Sequence, residues 1–187
     1  MAKASGNYIL FVGNLEPRKN LTSLIQAYTA LPKSITDKYA LLIVGAKGWL
    51  NNEIFDSILR ARLEGYRILR PEGYVEDEDT PPIYSGASLL AYPSHYEGFG
   101  LPILEAMACG VPVIAGNNSS MPEVGGSAAK YVDSESIKEI TTMMETVLKD
   151  KKLRETMTRK GFERTNEYSW EKSAQDLLDI YDEMVER

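Results

Sequence analysis

Short apolar runs alternate with amphipathic stretches of helical length from one end of the chain to the other. This alternation predicts β-α units around a parallel sheet that is covered by helices on both faces. Several runs end in glycine or proline, as is typical where a strand passes into a turn. The predicted strands cover residues 8–12, 41–44, 66–69, 88–91, 111–115 and 129–132. We therefore expect an α/β fold, a Rossmann-like domain whose parallel sheet has about six strands.

Helix starts can be predicted from the polar residues that precede each amphipathic stretch. Asn20 is a candidate cap for the first helix. Ser136 and Glu139 have the spacing of a capping box at the start of a later one. The last helix begins near Ser169, and we expect its apolar stripe to belong to the core. That stripe consists of Trp170, Ala174, Leu177, Leu178, Tyr181 and Val185.

Composition narrows the classes of partner. The 187 residues fit one domain that can bury a sizeable core. A formal charge of -6 argues against broad contact with nucleic acid or anionic lipid, since either partner would need a basic face. No apolar run approaches the roughly 20 residues that span a bilayer, and residues 1–7 are too short and polar for a signal peptide. We therefore expect a cytoplasmic protein with no direct membrane insertion.

Glu97 and Glu105 flank a segment that is suited to binding a phosphate. The glycines within residues 98–104 allow the backbone to approach a ligand closely. Pro102 fits the first position of a helix, where its missing N–H costs nothing. The unpaired amides of residues 100–103 could then face an anion at the positive end of the helix dipole. The two carboxylates suit hydroxyl groups on either side of a diphosphate.

Arg18 and Lys19 follow the first predicted strand and come just before a helix start. Positive charges are poorly matched to the positive end of a helix, so their position suggests an anion between them. The alternative is a pair of solvated surface charges. Because both candidate anion loops should end on the same edge of one parallel sheet, we favour a bound anion.

Other chemical signals are weaker. The sequence contains neither the glycine-rich dinucleotide fingerprint after the first strand nor a P-loop. His95, the only histidine, has no evident partner and is interpreted as a loop or packing residue. Glu123 is interpreted as a first-turn partner of a helix dipole. The acidic run at residues 76–79 is interpreted as a solvated loop and helix cap and not as a metal site.

A series of short motifs along nearly the whole chain has a characteristic order and spacing. The motifs are Phe11-Val12-Gly13, Pro17-Arg18-Lys19-Asn20, Gly73-Tyr74-Val75, Tyr84-Ser85-Gly86-Ala87, Pro93-Ser94, Glu97-Gly98-Phe99-Gly100-Leu101-Pro102, Glu105-Ala106, Gly110-Val111-Pro112-Val113 and Pro122-Glu123-Val124. Together they resemble the C-terminal donor-binding domain of retaining GT-B glycosyltransferases of family 4, the group 1 glycosyl transferases. The resemblance implies that residues 1–187 form one half of a GT-B fold and that the N-terminal acceptor domain is absent.

The resemblance also implies roles for individual residues. Arg18 and Lys19 would stabilise the departing diphosphate, and Glu97 would accept hydrogen bonds from the transferred hexose, so these three form the predicted catalytic set. The predicted donor-binding residues are Gly13, Tyr74, Val75, Gly98, Phe99, Gly100, Leu101 and Glu105, with Glu105 at the ribose. No metal or other cofactor is expected. Many relatives carry an arginine where this chain has Asn14.

The function implied is donor binding within a retaining hexosyltransferase of polysaccharide biosynthesis. The donor would be a nucleotide-diphosphate sugar, and segments 17–20 and 45–49 favour GDP-mannose. The acceptor would be a glycan or a lipid-linked acceptor. The isolated chain is expected to be inactive, with the complete two-domain enzyme in the cytoplasm or at a membrane surface. The alternatives are a non-catalytic nucleotide-sugar-binding module or subunit that needs a partner chain, and another GT-B enzyme such as an epimerase or a pyridoxal-phosphate phosphorylase.

Overall fold

A computed structural model describes residues 7–71, 73 and 75–185 of the chain. Its centre is an all-parallel sheet in the order β3-β2-β1-β4-β5-β6. Every strand overlaps one predicted from the apolar runs, so the predicted fold class is confirmed. The strands are β1 (Tyr8–Val12), β2 (Ala40–Val44), β3 (Ile68–Leu69), β4 (Leu89–Tyr92), β5 (Val113–Gly116) and β6 (Lys130–Val132).

Helices cover both faces of the sheet because alternate strand residues point to opposite sides. In β1, Ile9 and Phe11 belong to one buried cluster and Leu10 belongs to the other. The first cluster includes residues of α1, α3 and α7, and the second includes residues of α4, α5 and α6. The helices are α1 (Leu21–Thr29), α2 (Lys33–Thr36), α3 (Asn52–Leu63), α4 (Thr80–Ser85), α5 (Leu101–Ala108), α6 (Met121–Gly125), α7 (Ile137–Lys149), α8 (Lys151–Thr165) and α9 (Trp170–Val185).

The two predicted helix caps have different outcomes. Asn20 does precede α1, but its side chain caps nothing, and its backbone is left-handed at φ 56°. The Nδ2 of the Asn20 side chain instead donates to the carbonyl oxygens of Pro93 (3.0 Å) and Ser134 (2.7 Å), because these buried oxygens need donors. At α7, the Ser136 hydroxyl accepts a hydrogen bond from the amide of Glu139, which confirms the Ser136 cap. The reciprocal half of the capping box does not form, because the Glu139 carboxylate accepts from the amide of Asp133 and the amide of Ser136 donates to the Asp133 carbonyl oxygen.

The apolar stripe of α9 does not belong to the core, so that prediction was wrong. Its exposed fractions run from 48% at Leu177 to 77% at Trp170, and Leu178 and Tyr181 lie between these values. A helical apolar period predicts a buried face only where another element is available to cover it. No such element packs over this stripe among residues 7–71, 73 and 75–185. The side chain of Val185 lies outside the described residues.

Among the described residues, no helix combines the length and the apolar character that crossing a bilayer requires.

Candidate functional site

The predicted site residues meet at the carboxyl edge of the sheet, where β1 lies between β2 and β4. The order of strands reverses there, which is the usual place for ligand binding in an open parallel sheet. A short 3-10 turn, Pro17–Lys19, follows β1, and the loop after β4 runs alongside it. The amide of His95 donates to the carbonyl oxygen of Arg18 at 2.9 Å and holds the two loops together.

Glu97 lies between the two predicted cations and contacts both. Its Oε1 is 2.7 Å from Lys19 Nζ, and its Oε2 is 2.9 Å from Arg18 Nη1. Lys19 Nζ also donates to the Tyr92 hydroxyl at 2.8 Å. With exposed fractions of 8% and 6%, Lys19 and Glu97 are buried, so the alternative of two solvated surface charges is wrong for Lys19. The three predicted catalytic residues therefore form one cluster.

The protonation states of this cluster follow from its contacts. Burial by itself opposes ionisation of Glu97, but hydrogen bonds led by that from Lys19 outweigh it and hold the pKa of Glu97 below its usual value. Burial raises the pKa of the Tyr92 hydroxyl, and the nearby negative charge of Glu97 raises it further. Glu97 is thus a carboxylate and Tyr92 a neutral phenol at neutral pH.

Arg18 has further partners that the sequence did not indicate. Its Nη1 donates to the carbonyl oxygen of Tyr96 at 2.6 Å, and its Nη2 donates to Glu16 Oε1 at 2.9 Å. The other oxygen of Glu16 accepts a hydrogen bond from the indole N–H of Trp49 at 2.8 Å. Glu16 could have been found from its position two residues before Arg18, but its pairing was not predicted. Nothing in the local sequence signalled the contact with Trp49, 33 residues away.

Hydrogen bonds with Ser119 and Ser120 hold the backbone of the glycine-rich loop in place. Ser120 Oγ donates toward the carbonyl oxygens of Glu97 (2.9 Å) and Phe99 (2.8 Å), and the amide of Glu97 donates to Ser119 Oγ. Gly100 has a φ of 102°, which favours glycine, just before α5 begins. Within the described part of the chain, no acceptor faces the amides of Gly98, Phe99, Gly100 and Leu101.

Two details of the predicted anion loop need correction. The amide of Ile103 donates to the carbonyl oxygen of Gly100 at 2.9 Å, so the run of unpaired amides ends at Leu101 and does not reach residue 103. Leu101 is the first residue of α5, which places Pro102 at the second helical position and not the first. The second position also lacks an intrahelical partner for its N–H, so proline is tolerated there for the same reason.

Glu105 lies one turn inside α5 and is separate from the Glu97 cluster. Its side chain is exposed, and its Oε2 accepts a hydrogen bond from the buried Tyr84 hydroxyl at 2.6 Å. Burial raises the pKa of Tyr84, and its hydrogen bond to Glu105 raises it further, so Tyr84 remains a donor. A neutral buried phenol therefore fixes one carboxylate oxygen and leaves the other available.

The remaining predicted donor-binding residues are at the same edge or outside the described residues. Gly13 directly follows β1, and its amide donates to the carbonyl oxygen of Val44 at 2.9 Å. Val75 is half-buried against the second core cluster. Tyr74 lies outside the described residues.

Three weaker signals can also be compared with the structure. His95 is not without a partner, because its Nδ1 lies 2.9 Å from Glu135 Oε1, an ion pair when the imidazole is protonated. Glu123 is in the first turn of α6, as predicted. The acidic run forms a mostly exposed 3-10 turn, Asp77–Asp79, that leads into α4.

The corner between α8 and α9 reaches the glycine-rich loop. The Tyr168 ring meets the Phe99 ring edge to face, with centroids 5.9 Å apart. Arg164 Nη2 donates to the Tyr168 hydroxyl at 2.6 Å, and Arg164 Nε donates to the carbonyl oxygen of Val124 at 3.0 Å. These contacts link α8, α6 and Phe99, and the pattern of hydrophobic residues gave no indication of them.

The family description "Glycosyl transferases group 1" matches residues 2–164 of the chain. The chain belongs to this family. This group 1 domain is 41% identical over 174 residues to O-antigen chain mannosyltransferase B of Escherichia coli, covering 93% of the chain and 45% of that protein. It is 32% identical over 171 residues to the serotype-specific mannosyltransferase WbdA of Escherichia coli, covering 89% of the chain and 20% of WbdA. It thus spans less than half the length of these relatives.

Solved GT-B glycosyltransferases share the fold of this group 1 domain. Sucrose-phosphate synthase from Thermosynechococcus elongatus superposes with a TM-score of 0.82 at 25% identity, covering 97% of this chain and 46% of that one. Anabaena HepE, solved in complex with UDP and glucose, superposes with a TM-score of 0.83 at 22% identity, covering 96% of this chain and 49% of the HepE chain. The group 1 domain is therefore one Rossmann-like half of a GT-B fold, the C-terminal one.

Acid should remove the stabilisation that the Glu97 carboxylate provides. Because the pKa of Glu97 is lower in the folded chain than the value of about 4.3 in the unfolded chain, this contribution is complete above the unfolded pKa. It is lost as the pH falls through the folded pKa. Glu97→Gln should cost about 3 kcal/mol at neutral pH, since it leaves Lys19 buried without its anion. Urea unfolding across the acid range measures both effects.

The matched control is Glu105→Gln, which removes an exposed carboxylate and should change the unfolding free energy by less than about 1 kcal/mol. The unfolding free energy of Glu97→Gln should depend less on pH than that of the unchanged chain. If the two chains lost stability in parallel as the pH fell, the assignment of a lowered pKa to Glu97 would be wrong.

Proposed function

We propose that this chain is the donor-binding half of a retaining glycosyltransferase. It would bind a nucleotide-diphosphate sugar, GDP-mannose, for transfer of the hexose to a glycan or lipid-linked acceptor. The observation that carries the proposal is the cluster of Arg18, Lys19 and Glu97 at the sheet edge, beside the amides of residues 98–101, which have no acceptor among the described residues. In this proposal, residues 1–187 together form the donor-binding domain.

The diphosphate would be bound by groups that are already in place. Lys19 is held by Tyr92 and supplies a fixed positive charge, while the half-exposed Arg18 supplies a second one that ligand can reach. The amides of Gly98 to Leu101 add donors at the positive end of α5. When the bond between the anomeric carbon and the phosphate oxygen breaks, negative charge develops on the diphosphate, and these groups stabilise it. This set of positive groups is the reason to propose that no metal is required.

The two glutamates would bind different parts of the donor. Glu97 carries an ionised carboxylate at the centre of the site, and we assign it to hydroxyl groups of the hexose. Glu105, which has one oxygen held by Tyr84, is assigned to the ribose. Mannosyltransferase relatives support mannose as the hexose, and the complex of HepE with UDP and glucose supports a nucleotide sugar as the ligand. Guanine as the base is proposed from segments 17–20 and 45–49.

The acceptor would be bound by a second half that faces this one. The chain spans 45% of O-antigen chain mannosyltransferase B, and the apolar stripe of α9 is exposed. We propose that the second half covers this stripe and holds the acceptor hydroxyl near the anomeric carbon. The complete enzyme would work in the cytoplasm or at a membrane surface. A non-catalytic nucleotide-sugar-binding subunit is the alternative, and the transfer assay below distinguishes the two.

Nucleoside diphosphates should bind to the chain through Arg18 and Lys19. Lys19→Ala removes a charge-assisted phosphate contact and should weaken GDP binding by about 1.5–3 kcal/mol, measured by isothermal titration in EDTA. Lys152→Ala, an exposed lysine of α8, is the control and should bind as the unchanged chain does. Unchanged affinity for both GDP and UDP after Arg18→Ala plus Lys19→Ala would refute this site, and loss of binding in EDTA would refute metal independence.

The roles of the two glutamates can be separated with two ligands. Glu97→Gln should weaken GDP-mannose relative to GDP, because only the sugar nucleotide presents hexose hydroxyls. Glu105→Gln should weaken both ligands to the same degree, because both contain the ribose. Titration of each variant with each ligand gives four affinities. Equal losses for both ligands in both variants would contradict the assignment even with binding intact.

Transfer should require the second half. The chain alone cannot hold an acceptor hydroxyl near the donor, so it lacks an orientation contribution worth about 7–11 kcal/mol. With radiolabelled GDP-mannose and glycan acceptors, the chain alone should give no product, and co-expression with the N-terminal half of a mannosyltransferase relative should restore transfer. Metal-dependent transfer by the chain alone would contradict the proposal. Donor binding with no transfer in any such pairing would favour the non-catalytic subunit.

A further inference from the structure

We infer that Trp49 is a positioning residue that orients the Arg18 guanidinium through Glu16. The inference rests on the proposed function, because orienting Arg18 matters for a diphosphate ligand. Trp49 Nε1 donates to Glu16 Oε2 at 2.8 Å, and Glu16 Oε1 accepts from Arg18 Nη2 at 2.9 Å. The two oxygens of one carboxylate therefore join an indole on the β2–α3 loop to the guanidinium on the β1–α1 loop.

The Glu16 carboxylate has little freedom in this arrangement. Its side chain is 13% exposed, and both of its oxygens accept hydrogen bonds from N–H groups of other side chains. A carboxylate held at both oxygens cannot rotate about its last bond without losing one contact. Without the Trp49 N–H, only Arg18 would hold Glu16, and the two side chains could move together. The indole therefore fixes the direction in which Glu16 faces Arg18.

The loop that carries Trp49 is itself held against the Arg18 loop. Leu15 N donates to the carbonyl oxygen of Ala46 at 2.9 Å, and Gly48 N donates to that of Leu15 at 3.2 Å. A Cβ atom at Gly45 would lie 1.9 Å from the carbonyl oxygen of Gly13, and one at Gly48 would lie 2.7 Å from that of Leu15. Only glycine permits this approach. The contact between Trp49 and Glu16 is thus built on two backbones that touch.

Hydrophobic burial does not account for Trp49. The indole is 57% exposed, and the following residue, Leu50, is 76% exposed with a backbone φ of 46°. A left-handed leucine is uncommon, and such conformations are kept only where the surrounding structure holds them. Trp49 therefore contributes little apolar burial, while the N–H of its indole has a defined acceptor.

The Arg18 guanidinium contacts Glu97 and the Tyr96 carbonyl oxygen through Nη1, and it contacts Glu16 through Nη2. Arg18 Nη1 pairs with Glu97, which we assign to the hexose of the donor, so this contact must change when donor binds. The pair formed by Nη2 and Glu16 lies on the other branch of the guanidinium. It can persist with ligand bound and keep the plane of the guanidinium facing the phosphate, where planar geometry determines the strength of the contact.

The chain contains a matched control for Trp49. Its only other tryptophan, Trp170, is 77% exposed at the start of α9. Trp49→Phe keeps an aromatic ring and removes the N–H, and it should weaken GDP and UDP binding about five- to tenfold while leaving urea unfolding unchanged. Trp170→Phe should alter neither affinity. Equal affinity of Trp49→Phe and the unchanged chain would overturn the inference.

A double-mutant cycle tests whether Trp49 acts through Glu16. Arg18 and Trp49 donate to different oxygens of Glu16. Glu16→Gln replaces one of these oxygens with an amide nitrogen that can only donate, so it cannot keep both contacts, and Trp49→Phe should cause little further loss in that background. Losses that simply add would mean that the indole acts on the ligand directly, and the relay would be wrong.

The failures of the two proposals can be distinguished. If the unchanged chain bound neither GDP nor UDP, the proposed function would be refuted, and the role of Trp49 with it. If the unchanged chain bound GDP and UDP, and Trp49→Phe bound them with the same affinity, the proposed function would stand. The relay alone would then be refuted.

Discussion

The buried ion pair between Lys19 and Glu97 is the interaction on which the arrangement of the sheet edge depends. Each charge would be costly to bury alone, so the turn after β1 and the loop after β4 must come together for either residue to be buried. Asn20 adds neutral contacts to the same junction by donating to the carbonyl oxygens of Pro93 and Ser134. One short segment after β1 therefore supplies a charge and a buried donor to its neighbours.

The same interaction gives the site a balanced charge before any ligand arrives. Arg18 and Lys19 are matched by Glu16 and Glu97, and the whole chain carries a formal charge of -6. Long-range attraction therefore contributes little to the binding of an anion. Affinity for a diphosphate would come from short-range contacts with Arg18, Lys19 and the amides at the start of α5.

The parts of this structure that could be predicted from sequence are those determined by local pattern. Buried parallel strands such as β1 and β2 are nearly continuous apolar runs between turn residues, so their positions were clear. The closeness of Arg18, Lys19 and Glu97 could be predicted because the carboxyl ends of parallel strands lie on one edge of the sheet. The amides of the glycine-rich loop that could bind an anion were predicted at residues 100–103, and in the described structure they are those of residues 98–101. The predicted helix start, Pro102, was also one residue later than the observed start of α5 at Leu101.

The parts that could not be predicted depend on contacts distant in sequence. Glu97 and Lys19 are 78 residues apart. Each was predicted to contact a ligand, but no local pattern indicates that the two residues pair with each other. The Asn20 side chain does not cap α1, because it donates to two carbonyl oxygens that are distant in sequence. The apolar face of α9 looked like core because a helical period carries no information about whether a covering element is present.

The contact between Phe99 and Tyr168 bears on where this domain ends. The family description stops at residue 164, within α8, and a boundary drawn there would keep all six strands and every charged residue of the site. It would remove Tyr168, the ring against which Phe99 rests and the phenol that Arg164 holds. A shortened form of that length would retain the sheet but lose the outer support of its glycine-rich loop. The glycine-rich loop is therefore supported by a residue that lies beyond the end of the family match.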